Sequence, residues 1–270
     1  MNENNSTTHF GRITTPNLDW LSRAPAEPVI DPDLAIVDTH HHLWDHPSRY
    51  RYLLPEFLSD VATGHNVTQT VFVQCHAMYR ADGPEELRCV GETEFVAGIA
   101  AMSESGTYGD TRVAAGIVGF ADLTLGDRLD AVLEAHIQAG GGRFRGVRHS
   151  GAWDSDPIIG NGAQAAGLYA EAAFGAGLDR LTAHDLSLDA WVFHAQLGEV
   201  LDLARTHPDA NIILGHCGGP LGYGPYGGKK DEVHAQWLAA ITEIATCSNV
   251  TIKLGGMMMR LAAYDYGVLS

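Results

Sequence analysis

The densest chemistry in the sequence lies in Asp38-Thr39-His40-His41-His42. Residues i and i+2 of a strand share a face, so His40 and His42 can converge on one ion while His41 points away. Imidazole nitrogen suits zinc, and a catalytic zinc site keeps one position for water. Further on, Arg145-Gly146-Val147-Arg148-His149 sets two guanidiniums beside an imidazole. Arginine's planar fork pairs carboxylates bidentately. His194, His216 and Lys253 complete the series, with His216 leading into Cys217-Gly218-Gly219-Pro220. Each also has an ordinary structural reading: a loop pair, a helix cap, the start of a glycine turn, ion pairs under a rim. Trp44 and Trp191 read as core aromatics or as pocket walls. The agreement among the histidines is the signal, because each closes a strand-like run.

Seven such runs are legible: 35–38, 69–74, 113–118, 144–147, 186–193, 211–214 and 249–254. Helical patterns lie between them. Residues 84–102 follow Gly83, with Pro84 at a plausible first helical position. Residues 127–139 place Leu129, Val132, Leu133, His136 and Ile137 near one face and stop at Gly140-Gly141-Gly142. Residues 195–206 end before Pro208, and residues 231–246 start with Asp231 as a candidate cap. Strands alternating with helices imply parallel pairing and right-handed crossovers. Seven repeats suit a (β/α)8 barrel of the TIM type better than an open sheet. In such barrels the chemistry sits at the C-terminal ends of the strands.

Composition narrows the function classes. The 270 residues hold 33 acidic and 17 basic side chains, for a net charge of −16, which leaves little for a basic face against nucleic acid. The apolar runs are too short to cross a bilayer. Four scattered cysteines predict reduced thiols and a cytoplasmic protein, and MNENNSTTHF carries no leader pattern. Fourteen histidines point toward metal or acid–base chemistry. Residues 1–34 read as a polar lead-in and 35–270 as one domain.

The stretches VDTHHHLWD, RGVRHSGAW, LDAWVFHAQL, ANIILGHCGGPLG and NVTIKLGG resemble the amidohydrolase superfamily. They are nearest to its amidohydrolase-2 group of TIM-barrel hydrolases, which includes lactonases. The resemblance spans residues 35–256. It implies His40 and His42 as metal ligands, and His194, His216 and Arg148 as catalytic residues. It implies Arg145, His149 and Lys253 as substrate contacts. The implied reaction is hydrolysis of a small carboxylated lactone or related cyclic ester. A divalent ion, zinc first, would assist it, although some lactonases of the group work without metal. Non-oxidative decarboxylation of an aromatic acid is the alternative chemistry.

One departure stands out. The superfamily closes its barrel with an eighth strand bearing an aspartate that takes a proton from water. Here Tyr264-Asp265-Tyr266-Gly267-Val268-Leu269-Ser270 follows the seventh run, and Asp265 lacks that context. The expectation is seven βα units in an incomplete or open barrel, truncated at its C-terminus. Such a chain would be a weak or incompetent enzyme, with an edge open to a homo-oligomeric contact. Asp185, Asp189 and His149 are then the substitute proton acceptors to consider.

Overall fold

The computed structural model describes residues 15–256 apart from 24, 26 and 48, and also residues 259 and 262. Its strands are β1 (Ile36–His41), β2 (Val67–Val73), β3 (Arg112–Gly119), β4 (Phe144–Ser150), β5 (Ser187–Trp191), β6 (Ile212–Leu214) and β7 (Val250–Ile252). The helices are α1 (Leu18–Leu21), α2 (Leu54–Val61), α3 (Val90–Glu104), α4 (Leu129–Gly140), α5 (Ala172–Ala183), α6 (Leu197–Thr206) and α7 (Lys230–Ile244). All seven expected runs are strands. The expected helix over 84–102 divides: Pro84 precedes a 3-10 turn, Glu85–Leu87, and α3 begins only at Val90. Asp231 lies inside the first turn of α7 rather than capping it. Its charge there complements the exposed N–H groups.

The chain clusters into two compact units. The first comprises Ile13–Phe120 and Ala131–Arg145. Within it β1 pairs with β2 and β2 with β3, all parallel. Leu54 and Phe57 of α2, Phe72 and Val73 of β2, Val96 of α3 and Ile117 of β3 are buried in its core. His136 is one of several polar residues buried with them. Its Nε2 donates to the Phe120 carbonyl at 2.8 Å, and the Thr93 hydroxyl donates to its Nδ1 at 2.8 Å.

The second unit comprises Ala121–Asp130 and Gly146–Ser270. Here β4, β5, β6 and β7 pair in parallel, each with the next. Every residue of β5 is buried, as expected of a central parallel strand covered on both faces. α5 carries little helical signal in the sequence because Gly175 and Gly177 weaken it. Packing explains Gly177, since a Cβ there would run into the Leu123 carbonyl oxygen.

Among the described residues no helix is long and apolar enough to cross a membrane. The N-terminal decapeptide and the stretch 264–270, with Asp265, lie outside the described residues.

Candidate active site

In the first unit the end of β1 is irregular. Its register against β2 shifts between Asp38 and His41, and the Asp38 carboxylate accepts the His40 N–H at 3.0 Å. The His40 and His42 rings stand edge to face with centroids 5.0 Å apart, as strand alternation requires. His42 Nδ1 donates to the Val73 carbonyl oxygen at 2.7 Å. That bond selects the tautomer with its lone pair on Nε2, the same backing that metal-bound imidazoles receive. His41 turns the other way. It stacks on Phe57 at 4.3 Å, and the Thr70 hydroxyl donates to its Nε2 at 2.8 Å. Burial pushes its pKa down to about 4. The three histidines border a cavity of about 570 Å³ whose walls include Trp44, Tyr52 and Asp60.

Two imidazoles so close together are the donor type that a divalent ion such as zinc takes. Among the described residues no group of three or more His, Cys, Asp or Glu side chains is assembled to hold one. Sequence reasoning missed Glu92. Its side chain lies in a residue only 1 % exposed, and its carboxylate accepts the Cys75 and Ala77 N–H groups, each at 2.8 Å. Those bonds pin the backbone just beyond β2, where His76 and Met78 hold φ values of 62° and 54°. The sequence signal was an acid set between the apolar positions Val90 and Val96 of α3.

In the second unit four consecutive strands bring charged and imidazole groups together, from within β4 and β5 and from just beyond β6 and β7. Lys253 Nζ, just after β7, donates to Asp189 Oδ1 of β5 at 2.6 Å. The two side chains are 12 % and 4 % exposed. Burial raises the Asp189 pKa, opposed by the nearby charges of Lys253 and Arg148. His216, just after β6, is pushed down to about 4 by burial first, then by Arg148 and Lys253. It is thus a neutral imidazole at neutral pH, able to accept a proton.

The local backbone aims that ring. His216 and Cys217 sit at φ 48° and 54°, and Gly218 and Gly219 continue the left-handed turn at 74° and 54°. Non-glycine residues in this region carry strain of order 1–3 kcal/mol each, which the surroundings must offset. Here the Cys217 N–H donates to the Lys253 carbonyl at 3.1 Å, tying the turn to β7.

His194 begins the 3-10 turn after β5 and is buried. The Leu221 N–H donates to its Nδ1 at 3.4 Å, which assigns the ring proton to Nε2. That Nε2 has no hydrogen-bond partner among the described residues. Burial lowers its pKa, with Asp154 acting in the opposite sense.

His149 and Arg145 make contacts within their own units. His149 adjoins Arg148 in β4 and takes the opposite face. Its Nδ1 accepts the Leu123 N–H at 3.3 Å and its ring tilts against Phe174 at 5.4 Å. Arg145, in the first unit, donates to the Gly142 and Phe144 carbonyls at 2.8 and 2.9 Å.

Parallel βα units with imidazoles and paired charges toward the C-terminal halves of the strands define an α/β protein of the TIM-barrel type. Residues 37–268 match the amidohydrolase family Amidohydro_2, and the chain belongs to that family of hydrolases. It is 29% identical over 252 residues to the uncharacterized protein y4mH of Sinorhizobium fredii, covering 84% of this chain and 74% of that protein. It is 27% identical over 237 residues to an L-fucono-1,5-lactonase of Burkholderia ambifaria, covering 82% of this chain and 67% of that one. A crystal structure of an amidohydrolase from Burkholderia multivorans with bound Zn superposes with a TM-score of 0.57 at 25% identity. That match covers 81% of this chain and 68% of that one.

Proposed function

We propose that this protein hydrolyses a small carboxylated lactone or a related cyclic ester. The observation that carries the reading is the gathering of Arg148, Asp189, His216 and Lys253 from four consecutive parallel strands, the last two just beyond β6 and β7. The likeness to lactonases supports the choice of ester.

His216, held neutral, takes a proton from the attacking water. The hydroxide equivalent adds to the ring carbonyl, and His194 Nε2–H donates toward the oxygen on which charge develops. The ring C–O bond then breaks, and the proton held by His216 returns to the departing alkoxide to give a hydroxy acid. Arg148 and Lys253 receive the substrate's anionic group. His40 and His42 would hold a divalent ion, zinc first. Such an ion, when bound, lowers the pKa of water toward about 7 and polarises a carbonyl.

A panel of carboxylated and neutral five- and six-membered lactones, followed by acid release at constant pH, tests this. The expected result is turnover of a carboxylated lactone, with less on its neutral counterpart. Release of CO₂ from an aromatic acid, with no lactone opened, would overturn the reading in favour of decarboxylation.

A further inference from the structure

We infer that Asp189 is a positioning residue for the hydrolytic site, holding the Lys253 ammonium in place so that it meets an anionic substrate group. The inference rests on the reading above in one respect only, that Lys253 faces substrate.

The chain contains only three lysines, Lys229, Lys230 and Lys253. Lys229 and Lys230 are exposed at the start of α7, whereas the Lys253 side chain is 12 % exposed. A lysine stem is flexible and its compact ammonium strongly hydrated, so it is held in a buried place only by a fixed anion. Asp189 supplies that anion at 2.6 Å, through Oδ1 alone. Its other oxygen, Oδ2, is buried without a hydrogen-bond partner among the described residues. Such an arrangement is poor as a stability device. A buried pair is often no better than an apolar pair of the same shape, and an unsatisfied buried oxygen adds to the cost. A site that needs a charged donor at a set place accounts for the arrangement.

The backbone agrees with this assignment. Asp189 is the third residue of β5, paired in register with Arg148 of β4 and Ile213 of β6. Its Cα is therefore fixed from both sides. The Lys253 N–H donates to the Leu214 carbonyl at 2.9 Å, and its own carbonyl accepts from the Cys217 N–H. Both ends of the ion pair thus stand on hydrogen-bonded backbone, and the same lysine carbonyl braces the turn that aims His216. The carboxylate oxygens themselves are enclosed, so Asp189 acts through Lys253 rather than by touching substrate.

The test compares Asp189→Asn, Lys253→Met and the double variant with the parent, on a carboxylated lactone and on its neutral ester. Lys253→Met is expected to raise KM for the carboxylated substrate roughly tenfold or more, with a smaller change on the neutral one. Asp189→Asn should reproduce most of that rise. The double variant should be no worse than Lys253→Met alone, because Asp189 has nothing left to position. A second readout needs no turnover: acylation of each lysine by an activated ester, followed by peptide mass analysis. Lys253 should react slowly in the parent and several-fold faster in Asp189→Asn, with Lys229 and Lys230 unchanged as internal references.

Losses that multiply in the double variant, or that fall equally on charged and neutral substrates, would overturn the positioning role. So would unchanged Lys253 acylation in Asp189→Asn. If the parent opens no lactone, the lactone reading fails, and the acylation rates alone still decide whether Asp189 holds Lys253.

Discussion

The Trp191 indole stands edge-on to the His216 imidazole, with centroids 4.8 Å apart and ring planes 86° from each other. Gly256 closes on the same imidazole, at φ 82°, where a Cβ would lie 2.6 Å from His216 Nδ1. The ring of a proposed proton acceptor is therefore set by an aromatic edge and by the absence of a side chain. Gly256→Ala should push the ring out of line and lower kcat by about 10–100-fold, since small misplacements of reacting groups are that costly. Circular dichroism should show the fold intact. Unchanged kcat would mean that the ring position does not govern the reaction.

The His216 environment also fixes a pH dependence. Its pKa is lowered to about 4 by burial, Arg148 and Lys253, so the imidazole stays unprotonated well below its ordinary 6.5. kcat/KM should hold nearly flat from pH 7 down to about 5, where an ordinary histidine would already have lost most of its neutral form. In Lys253→Met the acid limb should move to higher pH, because one of the charges opposing protonation is gone. An acid limb centred near 6.5 in the parent would remove His216 from the proton-accepting role.

Four histidines, the buried His41 and His136 and the partly buried His149 and His216, each have a pKa lowered to about 4. As pH falls below about 6.5 the unfolded chain takes up protons that the folded chain refuses until about 4. Stability is therefore lost as pH falls through that window, by up to roughly 3 kcal/mol per histidine. Their sum is comparable with a typical total stability of about 5–15 kcal/mol. The protein should unfold cooperatively between about pH 5 and 4. Thermal midpoints measured every half unit from pH 7 downward would show the fall, and a level profile to pH 4 would contradict it.

All seven strands were legible because each holds a short apolar run set between helical patterns. The paired histidines were legible because a two-residue period in a strand fixes which side chains share a face. The same rule sets the adjacent residues Arg148 and His149 on opposite faces of β4. Asp189 was harder to see. Within LSLDAWVF it is one acid in an apolar run, and its partner Lys253 lies 64 residues away. Only the sequential pairing of β5, β6 and β7 brings the two together. Glu92 was hidden for a different reason: its partners are backbone N–H groups, which leave no trace in residue type.

Glu92→Ala should loosen the segment after β2. The carboxylate takes two N–H bonds at 2.8 Å, and charge-assisted bonds of this kind contribute about 1.5–3 kcal/mol each. Without them the left-handed residues His76 and Met78 are free to relax. Limited proteolysis should cut between residues 75 and 80 in the variant and spare the parent, with a lower thermal midpoint. Equal digestion of the two proteins would assign the strained backbone to other contacts.

Three consecutive histidines at the end of β1 should separate by function. His41 is 7 % exposed, stacked on Phe57 and bonded to Thr70, so its work lies in the core. His41→Ala leaves a cavity where a ring packed and should cost about 2–3 kcal/mol of stability. His40 and His42 are only partly buried, and their rings face each other across 5.0 Å. Replacing either by Asn should cost little stability while lowering both zinc retained after dialysis and the rate of lactone opening. The two readouts, denaturant midpoint and bound metal, should therefore respond to different residues. His42 carries the sharper test, because its Nδ1 bond to the Val73 carbonyl holds the tautomer that leaves Nε2 to coordinate. His42→Gln keeps a hydrogen-bonding side chain without the imidazole geometry, so zinc retention should fall well below that of the parent. If His41→Ala alone abolished metal binding, with His40 and His42 variants unaffected, the strand would present the opposite face to the ion and the ligand assignment would be wrong.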